Sequence, residues 1–161
     1  MARVRHGQGD WVSYHITTRT LEQRFYLAVG REKLNILSAL DYYRRDGRFK
    51  IFGFVVMDNH VHVIVQPALG RRLGEIMRDF KTWTSRRNGL KPPGQPLWER
   101  RYDDNEIRST AELRNVINYI YNNPVRAGVV AEAPAYRWSS VHNYMGDGRE
   151  LIEIDTDWWQ Y

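Results

Sequence analysis

Two short apolar runs, residues 50–57 and 60–66, constrain the fold of this chain more than any other feature of the sequence. Both runs are rich in β-branched and aromatic residues, and Asp58 and Asn59 lie between them. Such runs favour strands, and Asp and Asn tolerate the positive φ that a tight turn can require. The pattern therefore predicts an antiparallel hairpin.

Helical periodicity and further strand-like runs complete the predicted fold. The other elements before residue 109 are a strand over residues 11–18, helices over residues 31–45 and 71–87, and an extended segment over residues 97–108. In the first helix, Leu34, Leu37 and Leu40 form an apolar stripe. With one more helix after residue 109, this order predicts an α+β fold of the ferredoxin-like class, with helices packed on one face of an antiparallel sheet.

The helix after Ser109 has the clearest start and stop signals. Ser109 and Glu112 have the spacing of a capping box, in which side chains satisfy backbone N–H groups of the first turn. The apolar residues that follow at helical spacing are Leu113, Val116, Ile117 and Ile120. Pro124 disfavours helical geometry at Asn123, so we predict that the helix ends at Asn122 or Asn123.

The length of 161 residues fits one domain, since single cores commonly serve about 100 to 200 residues. We predict one domain over residues 1–161, with a core over residues 12–144 and an acidic, aromatic tail over residues 145–161. The absence of cysteine excludes disulfides, cysteine zinc sites and a thiolate nucleophile. No apolar run is long enough to span a membrane and the first residues lack an apolar signal core, so we predict a cytoplasmic protein.

Two histidines in the second strand of the hairpin are the first candidates for chemistry. Because successive side chains on a strand alternate, His60 and His62 lie on one face, and the valines between and after them face a core. Two imidazoles side by side can ligate a divalent metal and leave positions for a third protein ligand and for substrate oxygens. The alternative is a pair of surface or hydrogen-bonded histidines without a metal.

A tyrosine and an amide share one flank of the last helix. At about 100° per residue, Tyr119 and Asn123 lie one turn apart beside the apolar stripe, whereas Tyr121 lies on the opposite flank. Asn123 could offer an amide oxygen to the same metal, or it could simply end the helix before the proline. Tyr119 could equally be one of ten tyrosines that pack and make one hydrogen bond.

Two segments of the sequence resemble the REP-associated tyrosine transposases and their relatives, the one-tyrosine insertion-sequence transposases. They are residues 56–65, VMDNHVHVIV, and residues 119–129, YIYNNPVRAGV. Three shorter segments also agree with the family. Residues 14–17 resemble its first strand, residues 97–103 resemble its tryptophan-bearing segment, and residues 136–140 resemble the motif after its catalytic helix. The resemblance covers residues 12–144.

This resemblance implies a metal-dependent DNA transesterase, in which His60 and His62 hold Mg²⁺ or Mn²⁺ and Tyr119 is the nucleophile. Relatives often carry glutamine where this chain has Asn123, so Asn123 is a candidate third ligand that departs from the family pattern. The metal would polarise a phosphate of single-stranded DNA, and the tyrosine would form a 5′-phosphotyrosine link and release a 3′-hydroxyl. A base must take up the proton of the tyrosine. His15 is a candidate for that base, or a histidine that only packs in the sheet.

The formal charge of +5 and the sequence pI of about 9.6 favour a polyanionic partner. The resemblance implies single-stranded or hairpin DNA, such as repetitive extragenic palindromes, and we predict that the protein is associated with the nucleoid. The residues predicted to contact DNA are basic side chains of the N-terminal arm and the second helix, namely Arg3, Arg5, Arg71, Arg72, Arg78, Arg86 and Arg87. We predict a monomer rather than a homodimer, because the acidic and aromatic tail extends beyond the shared core.

Two other functions stay open at the level of sequence. A protein of this fold could bind hairpin DNA or RNA without cutting it, as a domesticated regulator, and its binding would need no metal. A histidine-ligated metal hydrolase would use activated water, so it would leave no protein attached to DNA and would survive the loss of Tyr119. The presence of His60, His62 and Tyr119 together favours the transesterase.

Overall fold

The computed structural model describes residues 12–158 of the chain. Its strands are β1 (Ser13–Arg19), β2 (Phe49–Val56), β3 (His60–Pro67) and β4 (Asp103–Ile107). Its helices are α1 (Gly30–Arg45), α2 (Leu73–Arg87), α3 (Thr110–Tyr121), α4 (Asn123–Arg126) and α5 (Val141–Met145). The strands form one antiparallel sheet in the spatial order β2-β3-β1-β4. Along the chain, α1 connects β1 to β2 and α2 connects β3 to β4. The predicted ferredoxin-like α+β fold is confirmed.

The predicted hairpin is confirmed, but its turn does not use the backbone conformation that Asp and Asn suggested. β2 and β3 pair antiparallel, and the Met57 N–H donates to the His60 carbonyl at 2.9 Å to close the turn. Neither Asp58 nor Asn59 has a positive φ. The two residues therefore mark the turn through their polarity rather than through left-handed backbone.

The sheet is apolar on both faces, and different helices cover each face. On one face, α1 and α2 pack against the valines of β3, which are Val61, Val63 and Val65. On the other face, α3 packs against Val55 and Ile64. The prediction that helices cover only one face is wrong, because these strands carry apolar side chains on both sides and each apolar face needs a cover.

A glycine in β2 lets α3 lie close to the sheet. The register of β2 against β3 shifts between Ile51 and Gly53, so Phe52 is the extra residue of a β-bulge. A Cβ added to Gly53 would lie 3.3 Å from Cδ1 of Ile120 on α3, which is tighter than ordinary van der Waals contact. Glycine at this position therefore sets how near α3, which carries Tyr119, comes to the sheet.

Helices α1 and α2 agree with their predicted bounds to within two residues. The apolar stripe of α1 differs from the prediction, since Leu34 is 47% exposed while Ile36 is buried together with Leu37 and Leu40. A leucine at every third position drifts around a helix of 3.6 residues per turn, which carries Leu34 away from the core. Within residues 12–158, no helix combines the length and apolar composition that a membrane span needs.

The predicted capping box at the start of α3 is present with one change of partner. The Ser109 hydroxyl accepts a hydrogen bond from the Glu112 N–H at 3.1 Å. The Glu112 carboxylate accepts at 2.8 Å from the N–H of Arg108, one residue before the position that a capping box uses. Both side chains thus satisfy backbone groups at this end, which fixes where α3 begins.

The end of α3 differs from the prediction. α3 ends at Tyr121 with Asn122 as its cap, and Asn123 is already the first residue of α4. The prediction that Pro124 forces Asn123 out of helical geometry is wrong. Proline lacks an N–H that a first helical turn does not use, so Pro124 ends one helix and is accommodated at the start of the next.

The residues after α4 cover the free edge of β2. Residues 138–140 exchange backbone hydrogen bonds with Phe54 and Val56, and the Asp155 N–H donates to the Ile51 carbonyl at 2.7 Å. The buried apolar side chains of the tail are Ile154 and Trp158. The acidic tail therefore packs on the sheet, where it covers an edge strand that would otherwise be open to pairing.

Candidate active site

His62 lies on the α3 face of the sheet, where β1 and β3 meet. The register pairs His62 with Thr17, and His15 lies two residues from Thr17 on the same face of β1. The Nδ1 atom of His62 is 3.0 Å from the Thr17 hydroxyl oxygen and 3.0 Å from His15 Nε2. These contacts hold the ring at Nδ1, so Nε2 is the nitrogen of His62 left for a ligand within residues 12–158.

His60 lies next to His62, with the two ring centroids 5.0 Å apart. Its Nδ1 is 2.7 Å from the side-chain oxygen of Asn59, and its Nε2 is 3.1 Å from the side-chain oxygen of Asn123. A neutral imidazole has one N–H, so it can donate to only one of these oxygens. The other ring nitrogen then directs a lone pair at an acceptor oxygen, unless that amide is rotated to donate its NH₂. A ring nitrogen and an amide oxygen whose lone pairs face each other can both bind a cation, whereas they cannot form a hydrogen bond with each other.

The histidines of this cluster are neutral at neutral pH. Burial lowers the pKa of His62 to about 3, and repulsion from His60 and His15 acts in the same direction. Burial is also the main cause that lowers the pKa of His60 and of His15. A neutral imidazole keeps the lone pair that a metal ligand needs, so this environment suits metal binding.

Tyr119 lies on the exposed flank of α3 beside these histidines. The residue is 51% exposed, and its ring centroid is 6.0 Å from that of His15 and 6.1 Å from that of His62. Arg126 of α4 also contacts Tyr119, with its guanidinium carbon 4.0 Å from the ring centroid and one N–H donating to the Tyr119 carbonyl at 2.8 Å. A half-exposed tyrosine ring is thereby held next to two imidazoles.

Tyr121, two residues later on α3, is in the opposite environment, as the helical spacing predicts. The residue is 7% exposed, and its hydroxyl is 3.0 Å from the Ser140 hydroxyl, which also accepts from the Phe54 N–H at 2.8 Å. Burial raises the pKa of Tyr121 strongly. Its hydroxyl is therefore a protonated structural group that ties α3 to β2, with no access to a polymeric substrate.

The cluster could hold one divalent metal. Among residues 12–158, no three His, Asp or Glu side chains are placed to share an ion. The candidate third ligand beside His60 and His62 is the amide oxygen of Asn123. The side-chain oxygen of Asn123 lies 3.1 Å from Nε2 of His60. At this separation both atoms could ligate one small divalent ion, which would supply positive charge beside the histidines.

Of the arginines predicted to contact DNA, those within the described residues lie away from this cluster. Arg3 and Arg5 fall outside the described residues. The others are exposed at the start of α2 or along it, and they are Arg71, Arg72, Arg78, Arg86 and Arg87. Because α2 packs on one face of the sheet and α3 on the other, the structure places these arginines and Tyr119 on opposite faces.

Two neighbours of the site were not found from the sequence. Thr17 follows His15 by two residues on β1, so strand alternation could have placed it beside the histidines. Arg126 follows Tyr119 by seven residues, but α3 ends at Tyr121 and α4 begins a separate helix. Helical spacing therefore could not have predicted that Arg126 covers the ring of Tyr119.

Sequence comparison places most of the chain in a known family. The profile of the family described as "Transposase IS200 like" matches residues 10–123. A REP-associated tyrosine transposase of Escherichia coli (strain K12) is 31% identical over 113 residues, which cover 70% of this chain and 65% of that protein. A curated relative from Haemophilus influenzae is 26% identical over 110 residues, which cover 58% of this chain and 60% of the relative. The chain thus spans less than two thirds of the length of both curated relatives.

Structural comparison agrees with the sequence match. A solved structure of a REP-associated tyrosine transposase bound to a REP hairpin has a TM-score of 0.74 and 25% sequence identity, and the match covers 97% of this chain and 93% of that one. The residues matched by the family profile include all four strands, both histidines of β3, Tyr119 and Asn123. With that profile matching well over half of its length, the chain belongs to the IS200-like transposase family, and its resemblance to the REP-associated tyrosine transposases is confirmed.

Proposed function

We propose that this chain cuts and rejoins single-stranded DNA beside a hairpin, with Tyr119 as the nucleophile. The observation that supports this most is the position of Tyr119, which is half exposed with its ring 6.1 Å from that of His62. A hydroxyl held in this way can approach a phosphate bound at the histidines, as covalent catalysis requires. The relative solved with a REP hairpin supports hairpin DNA as the substrate of this chain.

In the proposed reaction, the Tyr119 oxygen attacks the phosphorus of one phosphodiester in line with the departing 3′ oxygen. A bond forms between phosphorus and the tyrosine oxygen while the bond between phosphorus and the 3′ oxygen breaks. The hydroxyl proton passes to solvent or a base, and the 3′ oxygen takes up a proton to become a hydroxyl. Because one phosphodiester is exchanged for another, a 3′-hydroxyl can attack the 5′-phosphotyrosine and rejoin DNA without ATP.

A divalent metal, Mg²⁺ or Mn²⁺, belongs to this proposal, with His60, His62 and Asn123 as the residues that would hold it. When bound, it supplies positive charge that polarises the scissile phosphate. The chain orients the two imidazoles through their other nitrogens, with Thr17 and His15 at Nδ1 of His62 and the neighbouring amide oxygen at Nδ1 of His60. Such supporting contacts fix the rings and limit which nitrogen is free.

Arg126 is a further group that acts on Tyr119 in this mechanism. Its guanidinium lies 4.0 Å from the ring centroid, and it also holds the backbone carbonyl of the same residue. The contact restricts the ring to few orientations, and the positive charge attracts a phosphate to the nucleophile. Arg126 is thus a positioning residue whose charge is matched to an anionic substrate.

Binding of the hairpin and its single-stranded flank rests in this proposal on Arg3, Arg5 and the five exposed arginines at and along α2. Each phosphate that they contact releases counterions, so the slope of log K against log salt should steepen by about 0.7 to 0.9 per contact. Fluorescence anisotropy with labelled hairpin DNA, titrated at several salt concentrations, measures this slope. Binding that is insensitive to salt would contradict the role of the arginines.

The decisive experiment is incubation of the protein with labelled single-stranded hairpin DNA, with Mg²⁺, Mn²⁺ or chelator, followed by denaturing gels. We expect a metal-dependent covalent adduct with the unmodified chain and none with Tyr119→Phe. Tyr121→Phe is the matched control, because it also removes a phenol oxygen from α3, but from a residue that is only 7% exposed. It should form the adduct normally.

Other results would indicate the two alternative functions. Binding without an adduct on any tested hairpin would contradict cutting and would indicate a nucleic-acid-binding regulator. Cleavage without an adduct, persisting in Tyr119→Phe, would indicate a hydrolase that uses activated water. Loss of the adduct in Tyr121→Phe with normal folding would mean that the nucleophile is misassigned.

A further inference from the structure

A groove of about 520 Å³ lies between α1 and α2, on the face of the sheet opposite to Tyr119. Its volume falls in the range of roughly 300 to 1,000 Å³ over which protein pockets take small ligands. The side chains that give it chemical character are Tyr42, Arg48, Arg78, Trp83, Arg86 and Arg87. This arginine-aromatic groove has no part in the chemistry proposed for Tyr119.

The groove carries an excess of positive charge. Asp79 is the one carboxylate in its lining, and it pairs with Arg48 and with Arg78, at 3.2 Å in each case. Within residues 12–158, the remaining two arginines, Arg86 and Arg87, are exposed and pair with no carboxylate. Guanidinium groups without a protein counter-ion are suited to bind phosphate.

The groove also presents flat aromatic surfaces. The guanidinium carbon of Arg87 lies 3.7 Å from the ring centroid of Trp83, so the two side chains form a two-layer stack at the surface. Tyr42 on the α1 side is 55% exposed. Unpaired bases stack on aromatic rings and on guanidinium planes alike. In a duplex the base faces are covered by neighbouring bases, so these surfaces favour unpaired nucleotides.

From these observations we infer that the arginine-aromatic groove binds unpaired nucleotides of single-stranded DNA, with Arg86 and Arg87 at phosphates and Trp83 and Tyr42 against bases. The inference rests on the proposed function only in taking DNA as the partner. Because the sheet lies between the groove and Tyr119, the bound segment is a different one from the segment that carries the scissile phosphate. The groove therefore anchors a single-stranded flank of the substrate.

The test is equilibrium binding of the full chain to a labelled oligothymidylate of about 12 nucleotides, measured by anisotropy in chelator so that no cutting occurs. We expect Trp83→Leu to weaken binding about tenfold, the loss of one base-aromatic stack, with little change in the salt slope. The double variant Arg86→Gln, Arg87→Gln should lower that slope by about 1.4. Arg114→Gln, which removes one exposed charge from α3, is the control and should bind within about twofold of the unmodified chain.

Two further arms separate stacking from general charge attraction. Trp83→Phe keeps an aromatic ring and should bind nearly as tightly as the unmodified chain, which also guards against misfolding of Trp83→Leu. An oligonucleotide with abasic sites should bind more weakly than the intact one, and the difference should be smaller for Trp83→Leu than for the unmodified chain, because Tyr42 is still present to stack on bases. Unchanged binding by Trp83→Leu, or a duplex of the same length that binds as tightly as the single strand, would overturn the inference.

The outcome is independent of the cutting reaction. If hairpin DNA forms the adduct with Tyr119 while the groove variants bind oligothymidylate normally, the groove inference fails and the proposed function stands. If no adduct forms but the groove variants lose binding as expected, the groove is a single-strand site of a protein that does not cut.

Discussion

The two faces of the sheet come from the same four strands, yet one is a closed core and the other holds the candidate site. Under α1 and α2, β3 places Val61, Val63 and Val65 in a continuous apolar cluster. Under α3, the same strand places Ile64 in an apolar cluster and His62 among polar neighbours. Because side chains alternate along β3, those on one face pack in the core and His62 on the other face lies in the candidate site.

This difference teaches where polar groups can be tolerated in a small domain. A buried imidazole loses solvation, and that loss is offset only where hydrogen-bond partners are fixed beforehand. β1 supplies them, since Thr17 and His15 both lie 3.0 Å from His62. On the α1–α2 face, β3 instead carries Val61, Val63 and Val65, which pack in the apolar core cluster.

The largest expected effects come from the neighbours His62 and Val63, which face opposite sides. His62→Gln should reduce the rate of adduct formation by more than the roughly 10- to 100-fold typical of losing a residue that only supports a metal ligand. Val63→Ala should leave that rate unchanged but lower the free energy of unfolding by about 2 kcal/mol, through lost burial and a cavity. Gel assays measure the rate of adduct formation and urea unfolding measures the free energy of unfolding for both variants. A normal rate of adduct formation in His62→Gln would contradict the assignment of chemistry to the α3 face.

The pH dependence of stability should also distinguish the two faces. Burial gives His62 a pKa of about 3 in the folded chain, against the ordinary histidine value of 6.5, so the unfolded chain binds more protons between these values. The free energy of unfolding should therefore fall as pH is lowered from 6.5 toward 3, at roughly 1 kcal/mol per pH unit from this residue. Urea unfolding at several pH values should show a shallower fall in His62→Gln, while Val63→Ala should keep the full slope. Equal slopes in all three proteins would contradict the neutral, buried histidine.

A smaller effect on adduct formation is expected for Asn123, whose side-chain amide joins α4 to His60. Asn123→Ala removes the oxygen 3.1 Å from His60 Nε2 and should slow adduct formation about 10- to 100-fold while raising the metal concentration required. Asn123→Asp keeps an oxygen at the same reach and should restore most of the rate at saturating Mn²⁺. Metal titrations of the cleavage assay measure both effects. If Asn123→Ala has an unchanged metal requirement, Asn123 is no ligand.

The smallest expected effect concerns Tyr121. Tyr121→Phe removes the contact with Ser140 and should lower the free energy of unfolding by about 1 kcal/mol, because one buried hydrogen bond is lost. Adduct formation should continue at the normal rate. Thermal melts beside the gel assay test this, and a destabilisation of several kcal/mol would mean that α3 depends on Tyr121 for more than this contact.

Local patterns were sufficient for much of the fold and of the site. Alternation put His60 and His62 on one face, and 3.6-residue periodicity separated Tyr119 from Tyr121, because both patterns are fixed by backbone geometry over a few residues. The capping residues Ser109 and Glu112 likewise marked the start of α3. The same local patterns could not give the supporting contacts of Arg126, whose position depends on how α4 turns away from α3.

What the sequence determined by itself, then, is the four strands and helices α1 to α3, the orientation of side chains within each of them, and the family to which the chain belongs. The tertiary structure alone decided that α3 covers the face opposite α1 and α2, that Asn123 meets His60, and that Arg126 covers Tyr119. Periodicity relates residues along one element, but it is silent about which face of a doubly apolar sheet a helix will cover. That choice is made by close packing between elements, as where Gly53 lets Ile120 approach the sheet.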